Sequence, residues 1–268
     1  MSWQSWASPS SQVKRPMRMI IAHKSRRILG VLMFFLCIES AAHISAQEAT
    51  LSSEEIIHRI DAAVRMRSES ISAYTVHEHY SVYRNGEANP SAEETVRTEY
   101  TRATGKHYIP VSQSGSSLIR SAVIGKVLAG EEELNRPANR DSILITSANY
   151  EMHPHPDRVE LNGHTCVIVD LKPLRKSPHL FDGKVWIDAS DFTIVRLEGT
   201  PSQTPSWLVS QSGVSRDYAK VEGFAMAIHA EARAHSFLFG DTLLKIEYTD
   251  YNIQLEPGKA APTHASTD

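Results

Sequence analysis

The residue type most able to do chemistry in this chain is histidine, present 13 times in 268 residues. Two pairs stand at two-residue spacing: His77 with His79, and His153 with His155 in the run His153-Pro154-His155-Pro156. Strand alternation would put His77 and His79 on one face, while the second pair reads as a loop. Four imidazoles could hold zinc if the two segments met in space. No cysteine or carboxylate cluster completes the set, however, and Glu78 falls on the opposite strand face from both histidines. The sequence therefore predicts no metal site. Cys166, within Thr165-Cys166-Val167-Ile168-Val169, reads as a buried structural thiol rather than a nucleophile. Ser114-Gly115-Ser116 lacks the strand and helix context of a catalytic serine, and Glu131-Glu132-Glu133 reads as the solvated end of a helix. With no phosphate loop and no His-Glu-x-x-His helix, the expectation is a protein that is not an enzyme and uses no cofactor.

Composition narrows the partners further. Charged residues make up 22% of the chain and apolar residues 41%, with 13 Gly and 13 Pro, an ordinary globular balance. Lys and Arg are scattered and the formal charge is −3, which offers no basic field to a nucleic-acid backbone. Lys24, Arg26 and Arg27 precede an apolar run, 28–38, that ends in small residues at Ile44-Ser45-Ala46. That order is a secretory signal, 1–46, with cleavage predicted after Ala46, and a leader counted from Met17 has the usual length. The apolar run is too short for a membrane span, and Cys37 follows Phe34-Phe35-Leu36 instead of the small residues a lipid-attachment site requires. The expected product is exported to the periplasm, with no transmembrane span after cleavage. It keeps one cysteine, so no internal disulfide is expected. The leader carries six basic residues and one acidic, which leaves the remainder at −8.

Beyond the leader, Ser52 and Glu55 fit a capping box ahead of Ile56, Ile57, Ile60, Ala63 and Val64, predicting an amphipathic helix to about Arg67. The period then changes to two: 73–84 reads as a strand, Asn85-Gly86 as a turn and 94–103 as the returning strand. After the Ser/Gly stretch 112–117, Val123, Ile124, Val127, Leu128 and Leu134 predict a second, inserted helix over 118–134. Strands follow at Leu161 (a short one), 165–171, 184–188, 193–199, 215–222, 225–234 and 243–251, separated by turn residues such as Asn162-Gly163 and Glu222-Gly223. Short connections force antiparallel neighbours. The fold class is thus mainly β with helices: a strongly curved antiparallel sheet, an unclosed β-barrel, capped by an N-terminal helix and an inserted helix. It would occupy 47–256 as a single domain, with 257–268 a disordered tail.

The run Phe181-Asp182-Gly183-Lys184-Val185-Trp186-Ile187-Asp188, then Ile194-Val195-Arg196-Leu197-Glu198-Gly199, and the close Ile246-Glu247-Tyr248-Thr249-Asp250-Tyr251 after Gly240 complete this order of elements. Together they resemble the periplasmic outer-membrane lipoprotein-sorting superfamily, the LolA-like and LolB-like half-barrel proteins and above all their uncharacterised relatives. The resemblance covers most of 50–253 and rests on structural motifs rather than catalytic ones. It implies an unclosed barrel whose hollow face, capped by helices, holds the acyl chains of a lipid or an acylated lipoprotein.

A curved sheet of this length would leave a concave apolar face suited to an apolar ligand. Candidate lining residues are Tyr74, Val76, Tyr80 and Val82 on the first strand, Val123 and Val127 on the inserted helix, and Val185 and Ile187 on the tryptophan strand. Trp207, in the proline-rich segment 200–208, is a candidate gate. The same positions would equally serve as packed core. In that case the half-barrel is a docking surface for envelope proteins, the alternative to carriage.

Overall fold

A computed structural model describes residues 51–203, 209–236 and 240–261. The predicted leader with Cys37, the candidate gate Trp207 and the last seven residues of the predicted tail lie outside the described residues.

The described residues open with helix α1, Ser53–Ser70, which continues directly into strand β1, Ile71–Arg84. Ser52 caps the helix, its hydroxyl accepting the Glu55 N–H at 3.1 Å. Only that half of the capping box forms. The Glu55 carboxylate turns outward to Arg59 instead, at 2.6 Å, as an i,i+4 pair. Strands β2 (Ala92–Thr101) and β3 (Gly105–Gly115) follow, then two short helices, α2 (Ser117–Ala122) and α3 (Ile124–Leu134), and a 3-10 turn at Arg140–Ile143. Seven strands follow among the described residues: β4 (Tyr150–Leu161), β5 (His164–Pro173), β6 (Phe181–Asp188), β7 (Ile194–Pro201), β8 (Val209–Val221), β9 (Phe224–Ser236) and β10 (Gly240–Leu255).

All ten strands form one antiparallel sheet in the order β3-β2-β1-β10-β9-β8-β7-β6-β5-β4. The first and last strands pair within it, with β2 and β3 beyond β1 and Tyr80 opposite Ile246. β3 and β4 are consecutive in the chain yet lie at opposite edges, so the sheet does not close, and α2, α3 and the 3-10 turn lie in the connection between those edges. This is the unclosed antiparallel sheet with an N-terminal and an inserted helical element that the sequence predicts.

Three details differ from the sequence reading. β3, and most of β4, went unread because each contains proline: Pro110 in one, Pro154 and Pro156 in the other. Both are edge strands, where a residue lacking an N–H need not break the ladder on both sides. The pair His153 and His155 is therefore on a strand and not on a loop, with the register slipping between Pro154 and Arg158. The inserted helix, expected to be continuous, breaks at Val123 (φ −109°, ψ −68°). Val123-Ile124-Gly125 places two β-branched residues and a glycine together, the weakest helix formers of the segment.

Burial divides into separate clusters rather than one continuous core. Ile56 and Ile60 of α1 pack on Val167, Val169, Leu171, Val185 and Ile187. Ile119 of α2 and Ile124 of α3 pack on Tyr80, Val82, Val96 and Ile246. Ile71, Tyr100, Phe224 and Met226 form the third cluster. Cys166 is fully buried and unpaired, and burial pushes its thiol up to about 11.

Under α1, β6 and β7 approach closely because Gly183 faces Gly199 across the pair. A methyl group on Gly183 would collide with the backbone of Glu198 and Gly199, which cannot yield without parting the strands. Gly183→Ala should destabilise the protein by about 1–3 kcal/mol, the usual range for overpacking. The check is a lower denaturant midpoint at unchanged slope; an unaltered midpoint would contradict the close approach.

Candidate functional site

Where the three clusters fail to meet, a hollow of about 510 Å³ opens on the concave face of the sheet. α1 contributes Ala63, Val64 and Arg67 to its wall, and α3 contributes Val127, Gly130, Glu131 and Leu134. The sheet supplies Tyr74 and Glu78 from β1, Lys106 from β3, Arg216 and Tyr218 from β8, Ala225 and Ala227 from β9, and Tyr248 and Tyr251 from β10. Ala63, Gly130, Ala225 and Ala227 are small where branched residues would reach across, so the space remains. Most of the remaining wall is aliphatic or aromatic, including Ile71, Ile194, Leu197 and Phe224.

One part of the wall is charged. Glu131 reaches from α3 into the hollow and accepts Lys106 Nζ at 2.9 Å on one oxygen and Arg216 Nη2 at 3.2 Å on the other. These side chains keep 24%, 12% and 29% of their surface accessible, for Glu131, Lys106 and Arg216 respectively, and all three line the hollow. Burial alone would raise the Glu131 carboxyl, but the two cations outweigh it and hold the group far below the ordinary carboxylate range. Lys106 is held well above its usual value in turn: burial would lower it, and Glu131 together with Tyr108, Tyr74 and Glu78 more than offsets that. Nearby, Glu78 is fully buried and accepts the Thr98 hydroxyl at 2.8 Å and the Tyr80 hydroxyl at 2.5 Å. Burial pushes the Tyr248 and Tyr108 phenols up, so they remain neutral.

Among the residues proposed from sequence, Tyr74 and Val127 line the hollow. Tyr74 stacks on Tyr100 with ring centroids 4.8 Å apart. The structure places Tyr80 and Val82 in the cluster under α2 and α3, with Val123 packed against it, and Val185 and Ile187 in the cluster under α1. Val76 is fully buried in β1. These six stand in the packed layers around the hollow. The sequence reading missed Lys106, Arg216, Glu131 and Glu78. A signal for Glu78 was available: it alternates in phase with Val76, Tyr80 and Val82, so it had to face inward with them.

The histidines remain apart, on β1 and on the β4 edge, each with its own partner. His77 lies 3.4 Å from Asp250, and His79 bonds Thr95 at 2.9 Å. His153 lies 3.1 Å from Glu151, and His155 bonds Asp170 at 2.9 Å. Among the described residues no group of three or more His, Cys, Asp or Glu is arranged to hold a metal ion. Nor is any helix among them long and apolar enough to cross a membrane.

Comparison with solved structures finds similarity at low sequence identity. The chain is similar to a LolA-superfamily protein from Nitrosomonas europaea at 12% identity, over 80% of this chain and 98% of that one, with a TM-score of 0.38. It is similar to a DUF1329-family protein from Desulfovibrio piger at 12% identity, over 76% and 95%, TM-score 0.38. A protein described as an outer membrane lipoprotein-sorting domain, from Vibrio parahaemolyticus, aligns at 12% identity over 75% and 92%, TM-score 0.43. No family model and no curated protein matches the chain.

The depressed carboxyl of Glu131 makes a pH-dependent contribution to stability. Its stabilisation is fully present above the unfolded value of 4.5 and is lost as pH falls from there toward the folded value. Glu131→Gln should therefore be less stable at neutral pH by about 3 kcal/mol, the low end for stranding buried charge. Its stability curve should also be flatter than wild type below pH 4.5. Parallel curves for the two proteins would show that the carboxylate is not held by Lys106 and Arg216.

Proposed function

We propose that this chain is an exported carrier or binding protein that takes up the acyl chain of a lipid or acylated lipoprotein without covalent chemistry. The observation that carries the reading is the hollow of about 510 Å³, within the ~300–1,000 Å³ typical of sites for small ligands. Its wall is mostly apolar and lies between the two helical elements, where a flexible chain can thread. Burying a chain stabilises the complex by roughly 0.8 kcal/mol per CH₂. About ten methylenes then give a gross ~8 kcal/mol, which competes with the ~4–15 kcal/mol lost on association. An acyl chain alone would thus bind weakly and reversibly, as release to a second site requires. The secretory pattern of 1–46 and the superfamily resemblance support the same reading and favour the periplasm as the compartment.

The test is a titration of the purified protein with the neutral fluorescent probe N-phenylnaphthylamine, with native mass spectrometry for any co-purified lipid. The wild type should bind the probe and release it to lauryl lipids. Val127→Trp, which projects an indole from α3 into the hollow, should weaken that binding about tenfold or more while leaving the circular dichroism spectrum unchanged. Probe binding that is absent in the wild type, or unaffected by the tryptophan, would remove the carrier function.

A further inference from the structure

The charges around the hollow are not balanced. Its lining includes five cationic side chains, Arg67, Lys106, Lys126, Arg140 and Arg216, against two carboxylates, Glu78 and Glu131. This occurs in a chain whose formal charge is −3. Glu131 answers Lys106 and Arg216, and Glu78 is committed to two hydroxyls. Arg67 and Arg140 are different. Arg67 donates to the Ala225 carbonyl at 2.8 Å and to the Met226 sulfur at 3.3 Å. Arg140 donates to the Tyr100 hydroxyl and the Arg102 carbonyl, both at 2.8 Å. Both guanidiniums are half-buried, held only by neutral acceptors, with no carboxylate in ion-pair range among the described residues. A half-buried cation without a counter-charge is an unfavourable arrangement that an anionic ligand would relieve.

Position separates the two. Arg140, on the 3-10 turn, also lines a second cavity of about 450 Å³, whose wall carries the charged side chains Arg65, Glu69, Arg102 and Asp141. Ser68 and Leu144 are likewise common to both walls. Arg140 thus stands on the boundary between a mostly apolar hollow and one whose wall is more densely charged. An amphiphile lying across that boundary would leave its chain among Ile71, Phe224 and Met226 and bring its head to the guanidinium.

From this placement, and building on the carrier reading above, the geometry points to an anionic single-chain amphiphile as the ligand, its carboxylate or phosphate head paired with Arg140 and its acyl chain in the hollow. Arg67 adds positive potential to the same wall without having to touch the head. The guanidinium matches either anion, since its paired N–H groups fit both geometries.

The experiment compares three ligands of one chain length, laurate, dodecyl phosphate and dodecanol, by displacement of the neutral probe from the full-length protein at pH 8 and low salt. At least one anion should bind about tenfold or more tightly than the alcohol, the scale of one charge-assisted pair, and the better of the two identifies the head group. Arg140→Gln should abolish that preference while leaving dodecanol affinity unchanged, Arg140→Lys should retain most of it, and Arg97→Gln, a change on the outer face, should have no effect. Equal affinity of all three ligands for the wild type would overturn the head-group assignment and leave the carrier reading intact. Failure of all three to bind would overturn both. Should Arg140→Gln not fold, the wild-type comparison and Arg67→Gln, which should reduce the anion preference by severalfold, still decide the question.

Discussion

The site depends on one carboxylate. Glu131 projects from α3 and is bonded at the same time to Lys106 on β3 and to Arg216 on β8, strands with β2, β1, β10 and β9 between them in the sheet. A single side chain therefore spans the concave face and fixes the inserted helix to both sides of it. The buried triad adds little net stability over an apolar contact of similar volume, because desolvating three charges offsets most of their attraction. What it supplies is position: α3 can neither slide along the sheet nor drop into it without stranding a charge. The hollow stays open because the element that would collapse into it is held at its polar end.

Packing on the other side of the hollow follows from the same constraint. α1 packs on the strands from β4 to β7, whereas α2 and α3 pack on the stretch β3-β2-β1-β10-β9, so the two helical elements cover different stretches of one sheet. Between them the aromatic group of Tyr74, Tyr100 and Tyr251 lies against Phe224 and Met226. A continuous core would need bulky residues at Ala225 and Ala227, where the chain has methyl groups. Rigid packing under each helix and vacancy between them are two results of one side-chain distribution.

Most of the architecture was legible in the sequence because strands buried on one face alternate strictly and their turns carry Gly, Asn and Asp. Asn162-Gly163 and Glu222-Gly223 take the left-handed conformation that such turns require. The order of the later strands was readable for that reason, and the inserted helical element from the helical spacing of its apolar residues. The edge strands were not, since proline and serine there mimic loop composition, and with β3 went Lys106. The charged wall was hidden by a more general ambiguity. Glu131 belongs to a run of three glutamates that looks solvated, although its helical spacing from Val127 and Leu134 puts it on their face of α3. Its role depends on Arg216, 85 residues away, and a spacing of that kind has no sequence signature.

Openness of the sheet raises a problem that the same edge strands resolve. A curved sheet that does not close exposes two rows of unpaired backbone groups, which in a long flat edge invite pairing with another copy. Here β3 interrupts its row with Pro110 and continues into Ser112 and Ser114, while β4 carries Pro154 and Pro156 and slips register beside them. Each proline removes a donor from the edge, and each irregularity twists the strand away from the flat geometry a partner strand would need. The residues that obscured these strands from sequence reading are thus the ones that let the barrel remain unclosed. Without them the two open edges, β3 and β4, could be closed by strand pairing instead.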